Sequence, residues 1–209
     1  MDAPELDANT DVLVIADAEA RVLCWVPRDL WCERIRNRIN KAFALGGHAE
    51  LSRALGEHGF ELDASLIVDR RAAERALEGA RLTVPVAERL EFWYPLEPGL
   101  RIEDGRKRIS FEPPAETLEG ERLHQWLGAR YLVSGRGTDL DRIQRQRTLA
   151  KAMLEQGFDF GRPVEIGEEV AISGPALEEL RRVDSSFFMT TFAHDAVPRT
   201  IDGKDVLVL

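Results

Sequence analysis

The chain has 209 residues, 44% apolar and 31% charged, with a formal net charge of −9. That is one large domain or two small ones of ordinary globular composition, long enough to bury a core without disulfide or metal staples. The charge opposes nonspecific attachment to nucleic acid or anionic membranes but leaves room for a local basic patch.

The first ten residues, "MDAPELDANT", are polar and acidic. They lack the basic start and apolar stretch of a signal peptide, and no later run approaches the ~20 apolar residues that cross a bilayer. The expectation is a cytoplasmic chain with a frayed tail at 1–10 and no membrane partner. "DVLVIADAEARVLCWVP" (11–27) reads as two strands around a polar turn. Pro27 blocks helix and Asp29 can cap one after it. Trp31, Cys32, Ile35, Ile39, Ala42 and Phe43 share a helical arc that predicts an amphipathic helix ended by "LGG" (45–47). A second short helix follows at 48–59. Cys24 and Cys32 fit neither a disulfide framework nor a metal-ligand spacing, so both are expected as core thiols.

"FELDASLIVD" (60–69) carries both strand and helix patterns. "RLTVPV" (81–86) and "LEFWYPL" (90–96) read as extended. In the latter, Trp93 and Tyr94 alternate faces, so one can be exposed as a stacking platform. "LRIEDGRKRISFEP" (100–113) predicts a hairpin about Asp104-Gly105. The Pro-Pro, acidic stretch 111–121 is the one linker candidate, which divides the chain into 11–113 and 114–209 unless it is one continuous domain. Beyond it come helix 115–128, extended 129–133, helix 139–156, extended 163–173, helix 175–183, extended 185–192 and a hairpin through Asp202-Gly203. The fold class is α+β, with antiparallel hairpins and a helical hairpin in the N-terminal half. A mixed sheet with crossover helices is expected in the C-terminal half.

Chemistry is harder to place. "SGRGTD" (134–139) precedes a helix and offers glycines, an arginine and a helix N-terminus, the elements of an anion cradle, without matching a full phosphate motif. A turn with Thr138 or Asp139 as helix cap explains the same residues. In the helix that follows, Leu140, Ile143, Ala150 and Leu154 form an apolar arc that includes Arg147, with Arg142 and Arg145 on the other side beside Leu149 and Met153. Arginine suits bidentate pairing with carboxylate or phosphate. The predicted anion- or nucleic-acid-contacting set is Arg34, Arg38, Gly135, Arg136, Gly137, Thr138, Arg142, Arg145 and Arg147. No histidine pair has a helical metal-ligand spacing, and His194 beside Asp195 lies on extended chain, where the two would face apart. No catalytic residue, metal or cofactor is assigned.

"RIRNRINKAFALGGHAELSRALGE" (34–57), and "HAELSRALG" (48–56) within it, resembles the opening helices of phage-repressor-type helix-turn-helix domains, and "ALEGARLTVPVAERLE" (76–91) loosely resembles the segment that closes them. That resemblance implies nucleic-acid contact. The acidic "EHGFELDAS" (57–65) stands where a recognition helix would present Arg, Asn or Gln to bases, which leaves an ordinary helical hairpin as the alternative. The leading expectation is therefore a non-catalytic binding or regulatory protein contacting nucleic acid through an arginine-lined surface. The alternatives are an acidic protein–protein adaptor, inhibitor or subunit, and a phosphate- or nucleotide-binding enzyme using the SGRG loop.

Overall fold

The computed structural model describes residues 10–68, 70–97, 100–135, 139–159, 170–173, 176–193 and 195–209. The elements, in chain order, begin with β1 (Leu13–Asp17), β2 (Val22–Val26), β3 (Trp31–Cys32), β4 (Asn37–Arg38), α1 (Ala42–Gly56), β5 (Ser65–Val68), α2 (Arg70–Ala76), β6 (Arg81–Pro85) and β7 (Leu90–Pro95). They continue with β8 (Arg106–Phe111), β9 (Ala115–Glu119), α3 (Glu121–Gly128), β10 (Tyr131–Leu132), α4 (Asp139–Glu155), β11 (Val170–Ser173), α5 (Ala176–Arg181), β12 (Phe188–Thr191), β13 (Val197–Ile201) and β14 (Lys204–Val208). This is the α+β class expected. Two compact units form: residues 1–76 with 159–209, and residues 77–158. The acidic Pro-Pro stretch lies inside the second unit as the turn between β8 and β9.

In the first unit β1 and β2 pair antiparallel, as their alternation predicts, with the Asp17 carboxylate accepting from the Ala20 N–H across the turn. β12 adds to β2 in parallel, so the mixed sheet draws its strands from both ends of the chain. The terminal hairpin β13–β14 turns through Asp202 (φ 49°) and Gly203 (φ 73°), the left-handed pair that matches strand twist.

The helix expected from Asp29 is absent. Of its apolar arc, Trp31, Cys32, Ile39, Ala42 and Phe43 are buried and Ile35 is half-buried, but Trp31 and Cys32 enter the core from the β3–β4 hairpin. The decision is made far away in sequence: Leu207 N–H donates to the Asp29 carbonyl at 2.9 Å, and Leu30 bridges to Leu207. Those bonds hold the segment extended against its helical spacing. α1 starts only at Ala42 and is broken at Gly47, whose φ of 60° glycine adopts without strain. After Gly56 no recognition helix follows. Residues 57–64 lead into β5, which pairs with β11, so the helix-turn-helix resemblance is not realised.

In the second unit β8 pairs with β7, from Leu90↔Phe111 to Pro95↔Arg106, and not with 100–103, where Arg101 instead holds Asp104 at 3.0 Å in a turn. Phe92, Ile109 and Phe111 share the covered face of this ladder, a match that residues 100–103 do not offer. Residues 115–119 are strand β9 against β6, and helix begins after Gly120 (φ 48°). The core joins Leu82, Val84, Phe92, Phe111, Leu118 and Trp126. Phe111 and Trp126 meet edge to face at 4.9 Å.

One titration follows from the first unit. His58 packs edge-on to Phe192 at 5.9 Å, and its Nε2 is buried without a hydrogen bond among the described residues. Burial depresses its pKa, against smaller upward pulls from Glu57 and a hydrogen bond to the Trp31 backbone. Between that depressed value and the ordinary 6.5 the unfolded chain binds more protons, so stability rises with pH across the window and is lost as pH falls below 6.5. Urea unfolding is expected to give a lower midpoint at pH 5 than at pH 7.5. His58→Phe should flatten that difference, and an unchanged slope would refute the assignment.

Candidate functional site

The sequence after β2 turns sharply. Pro27 has no N–H to continue the ladder, and Leu30 N–H closes the turn onto the Pro27 carbonyl at 3.1 Å. The backbone at 28–30 is then clamped: Asn40 N–H reaches the Arg28 carbonyl (3.2 Å), Ile39 N–H the Leu30 carbonyl (2.8 Å), and Leu207 N–H the Asp29 carbonyl (2.9 Å). Thr10 N–H donates to the Asn40 carbonyl at 3.1 Å and brings Thr10 and Asp11 alongside.

On this frame four charged side chains alternate in sign. Arg28 Nη1 donates to Asp11 Oδ1 at 2.6 Å, and its Nε lies 3.9 Å from Asp29 Oδ1. Arg38 Nε lies 3.5 Å from the same Asp29 oxygen and donates to the Asp205 carbonyl at 2.8 Å. Side-chain exposure climbs from 14% at Arg28 through 24% at Asp29 and 32% at Arg38 to 63% at Asp11, so the group opens outward on its Asp11 side. Beside it Asn40 is 4% exposed, with its amide oxygen lacking a hydrogen bond among the described residues. Two guanidinium groups and two carboxylates make a half-buried, charge-balanced network in which the exposed Asp11 is the carboxylate most open to replacement by another anionic oxygen group.

Of the predicted set, only Arg38 belongs to this cluster. Arg34 is held by Glu50 at 2.7 Å, a bond that is the main cause of that carboxyl's lowered pKa. Arg136, Gly137 and Thr138 lie outside the described residues, and Gly135 sits in an exposed bend. His194 is likewise outside them. The α4 arginines are a correction. Ile143 of the expected arc is buried, but so is the stripe carrying Arg142, Arg145, Leu149 and Ala152, and Arg147 is only half-buried. Arg145 Nε donates to the Trp126 carbonyl at 3.1 Å, its Nη2 to the Ala129 carbonyl, and its guanidinium lies 4.6 Å from the Phe92 ring centroid. Burial pushes its pKa down to about 10, so it remains charged at neutral pH. It satisfies carbonyls at the end of α3 that the helix itself leaves open, which is a structural task.

Arg28, Asp29 and Asp11 were missed as a site. The available signal was a charged pair directly after a buried strand and a proline, which reads equally well as a helix cap. Among the described residues no cluster of three or more His, Cys, Asp or Glu side chains has metal-holding geometry, and no helix is long and apolar enough to cross a membrane.

The chain resembles several solved structures. To TagT bound to LIIa-WTA it is 17% identical with a TM-score of 0.68, covering 98% of this chain and 80% of that one. To Bacillus subtilis TagT the values are 16%, 0.66, 98% and 81%. To B. subtilis TagV they are 18%, 0.63, 96% and 83%. No curated protein matches. The LytR_cpsA_psr family model matches residues 5–168. This match overturns the expected nucleic-acid-contacting regulator, and neither the adaptor nor the SGRG-loop nucleotide enzyme replaces it. The physical reason is that an arginine-rich pattern records affinity for anions but not which anion, and several of these arginines are consumed inside the fold. With most of its length inside the match, the chain belongs to the LytR_cpsA_psr family.

Proposed function

We propose that the chain is a cell-wall glycopolymer transferase domain that takes an anionic, phosphate-linked polymer of the wall teichoic acid kind as its donor. Family membership and the likeness to TagT, which has been solved bound to LIIa-WTA, support this substrate class. The observation that carries it is the Arg28 cluster, where Arg28 and Arg38 bracket the Asp29 carboxylate and Arg28 reaches outward to the exposed Asp11. A polymer phosphate entering there exchanges with the exposed Asp11 for the Arg28 guanidinium, replacing a single carboxylate contact with a phosphate that can accept from both guanidinium nitrogens. The displaced Asp11 carboxylate, still at the rim, is placed to take the proton from an acceptor hydroxyl as that oxygen attacks phosphorus and the donor's P–O bond breaks.

The test is direct. Purified protein is incubated with lipid-linked, radiolabelled teichoic acid and insoluble wall glycan, and label fixed to the glycan is counted after detergent washing. The expected result is time-dependent fixation. If the protein neither fixes label nor binds the labelled donor, the proposal fails.

A further inference from the structure

The sheet β10–β7–β8 has one face packed on the core, and its other face carries exposed side chains among the described residues. Phe92, Ile109 and Leu132 face inward. By strand alternation Tyr131, Trp93 and Arg108 stand in one row on the opposite face, because Tyr131 pairs directly with Trp93 and Trp93 with Arg108. Tyr131 is 44% exposed and Arg108 is 54% exposed. Arg106, also exposed, places its guanidinium 4.4 Å from the Trp93 ring centroid, and Arg108 lies 5.9 Å from it. Arg108 is tied to Glu91 at 2.8 Å, whereas Arg106 has no carboxylate partner among the described residues and rests on the indole alone.

This arrangement differs from a core leftover. Aromatic rings normally bury their area, and here an exposed Tyr131 pairs with a half-buried Trp93 in a chain of net charge −9, with two exposed guanidiniums against the indole. Flat rings accept sugar rings through their C–H faces, and an arginine without a carboxylate partner recruits an anionic substituent. We propose that this face is a saccharide-binding surface, with the occupant being the wall glycan strand that serves as acceptor. Its sugar rings stack on Trp93 and Tyr131, and carboxylates of its peptide stems meet Arg106 and Arg108. The surface rests on the transferase proposal for its choice of occupant, but it is separate from the Arg28 cluster in its residues and chemistry.

The test measures co-sedimentation of the intact chain with purified wall glycan stripped of teichoic acid, beside binding of labelled teichoic acid donor. Trp93→Ala and Arg106→Ala should each weaken glycan retention about tenfold, the size of a lost ring stack. Donor binding and the thermal midpoint should stay unchanged, and Trp93→Phe should retain most of the affinity. Unchanged glycan retention in both alanine variants, or no retention of the wild-type chain, overturns the surface. So does a loss confined to donor binding, which would make it a donor subsite, or a change seen only in self-association by sedimentation velocity. If glycan retention depends on Trp93 while donor binding is absent throughout, the transferase proposal fails and the surface stands.

Discussion

Arg28→Ala is expected to lower donor affinity, and with it transfer to wall glycan, on the order of a hundredfold. Charge-assisted hydrogen bonds contribute about 1.5–3 kcal/mol each, and two lost contacts to one phosphate amount to roughly 3 kcal/mol, at 1.4 kcal/mol per tenfold. Removing Arg28 also leaves Asp29, only 24% exposed, paired with Arg38 alone among the ion pairs of the described residues, so some stability should be lost as well. Arg28→Lys separates the two effects. It keeps the charge but not the planar fork, and should restore stability while leaving donor binding at least tenfold weak. Asp11→Asn probes the other half of the proposal. It should cut kcat with little rise in KM, the pattern of a group that acts on the proton and not on donor binding. Donor affinity of Arg28→Ala equal to wild type would remove the cluster from the site.

Arg145→Ala is expected to destabilise the chain by roughly 4 kcal/mol, with little specific effect on ligand affinity at temperatures where it remains folded. Two buried carbonyls, those of Trp126 and Ala129, lose their donor, each at a cost of about 1–3 kcal/mol, and the Phe92 ring loses the cation beside it. For a protein whose total stability is about 5–15 kcal/mol this is a large fraction. Arg145→Met should recover the packing against Phe92 but not the hydrogen bonds, and so fall between. Denaturant unfolding monitored by tryptophan fluorescence is suited to the measurement, because Trp126 Nε1 itself donates to the Arg145 carbonyl at 2.9 Å. A loss below 1 kcal/mol, or a loss of donor binding at full stability, would return Arg145 to the list of ligand contacts.

The two arginines explain why the site was only partly legible in the sequence. Hydrophobic periodicity located the buried residues of segment 31–43 except at the half-buried Ile35, because Trp31, Cys32, Ile39, Ala42 and Phe43 are apolar whichever backbone presents them. It could not choose hairpin over helix, since the deciding bonds come from residues 205–207. In α4 two stripes compete. One carries more aliphatic side chains, and the other carries Arg142 and Arg145. Ile143 of the first is buried, and the arginine stripe is covered as well, because the Arg145 guanidinium is buried where carbonyls and an aromatic ring wait for it on α3 and β7. Arginine density therefore pointed to anions in general, while Arg28, with no other arginine near it in the sequence, sits in the charged network on the 28–30 turn.

What the residues alone determined is local. The β1–β2 hairpin, the Asp202-Gly203 turn, α4 and the α+β class follow from alternation, turn chemistry and helical period, all of which act within a few residues. Tertiary structure decided the rest: the pairing of β8 with β7, the parallel addition of β12 to β2, and the gathering of Asp11, Arg28, Asp29 and Arg38 on one frame. Those are contacts between distant segments. Each was chosen because it buried a matching apolar face or completed a backbone bond, and neither condition can be read from one segment without its partner.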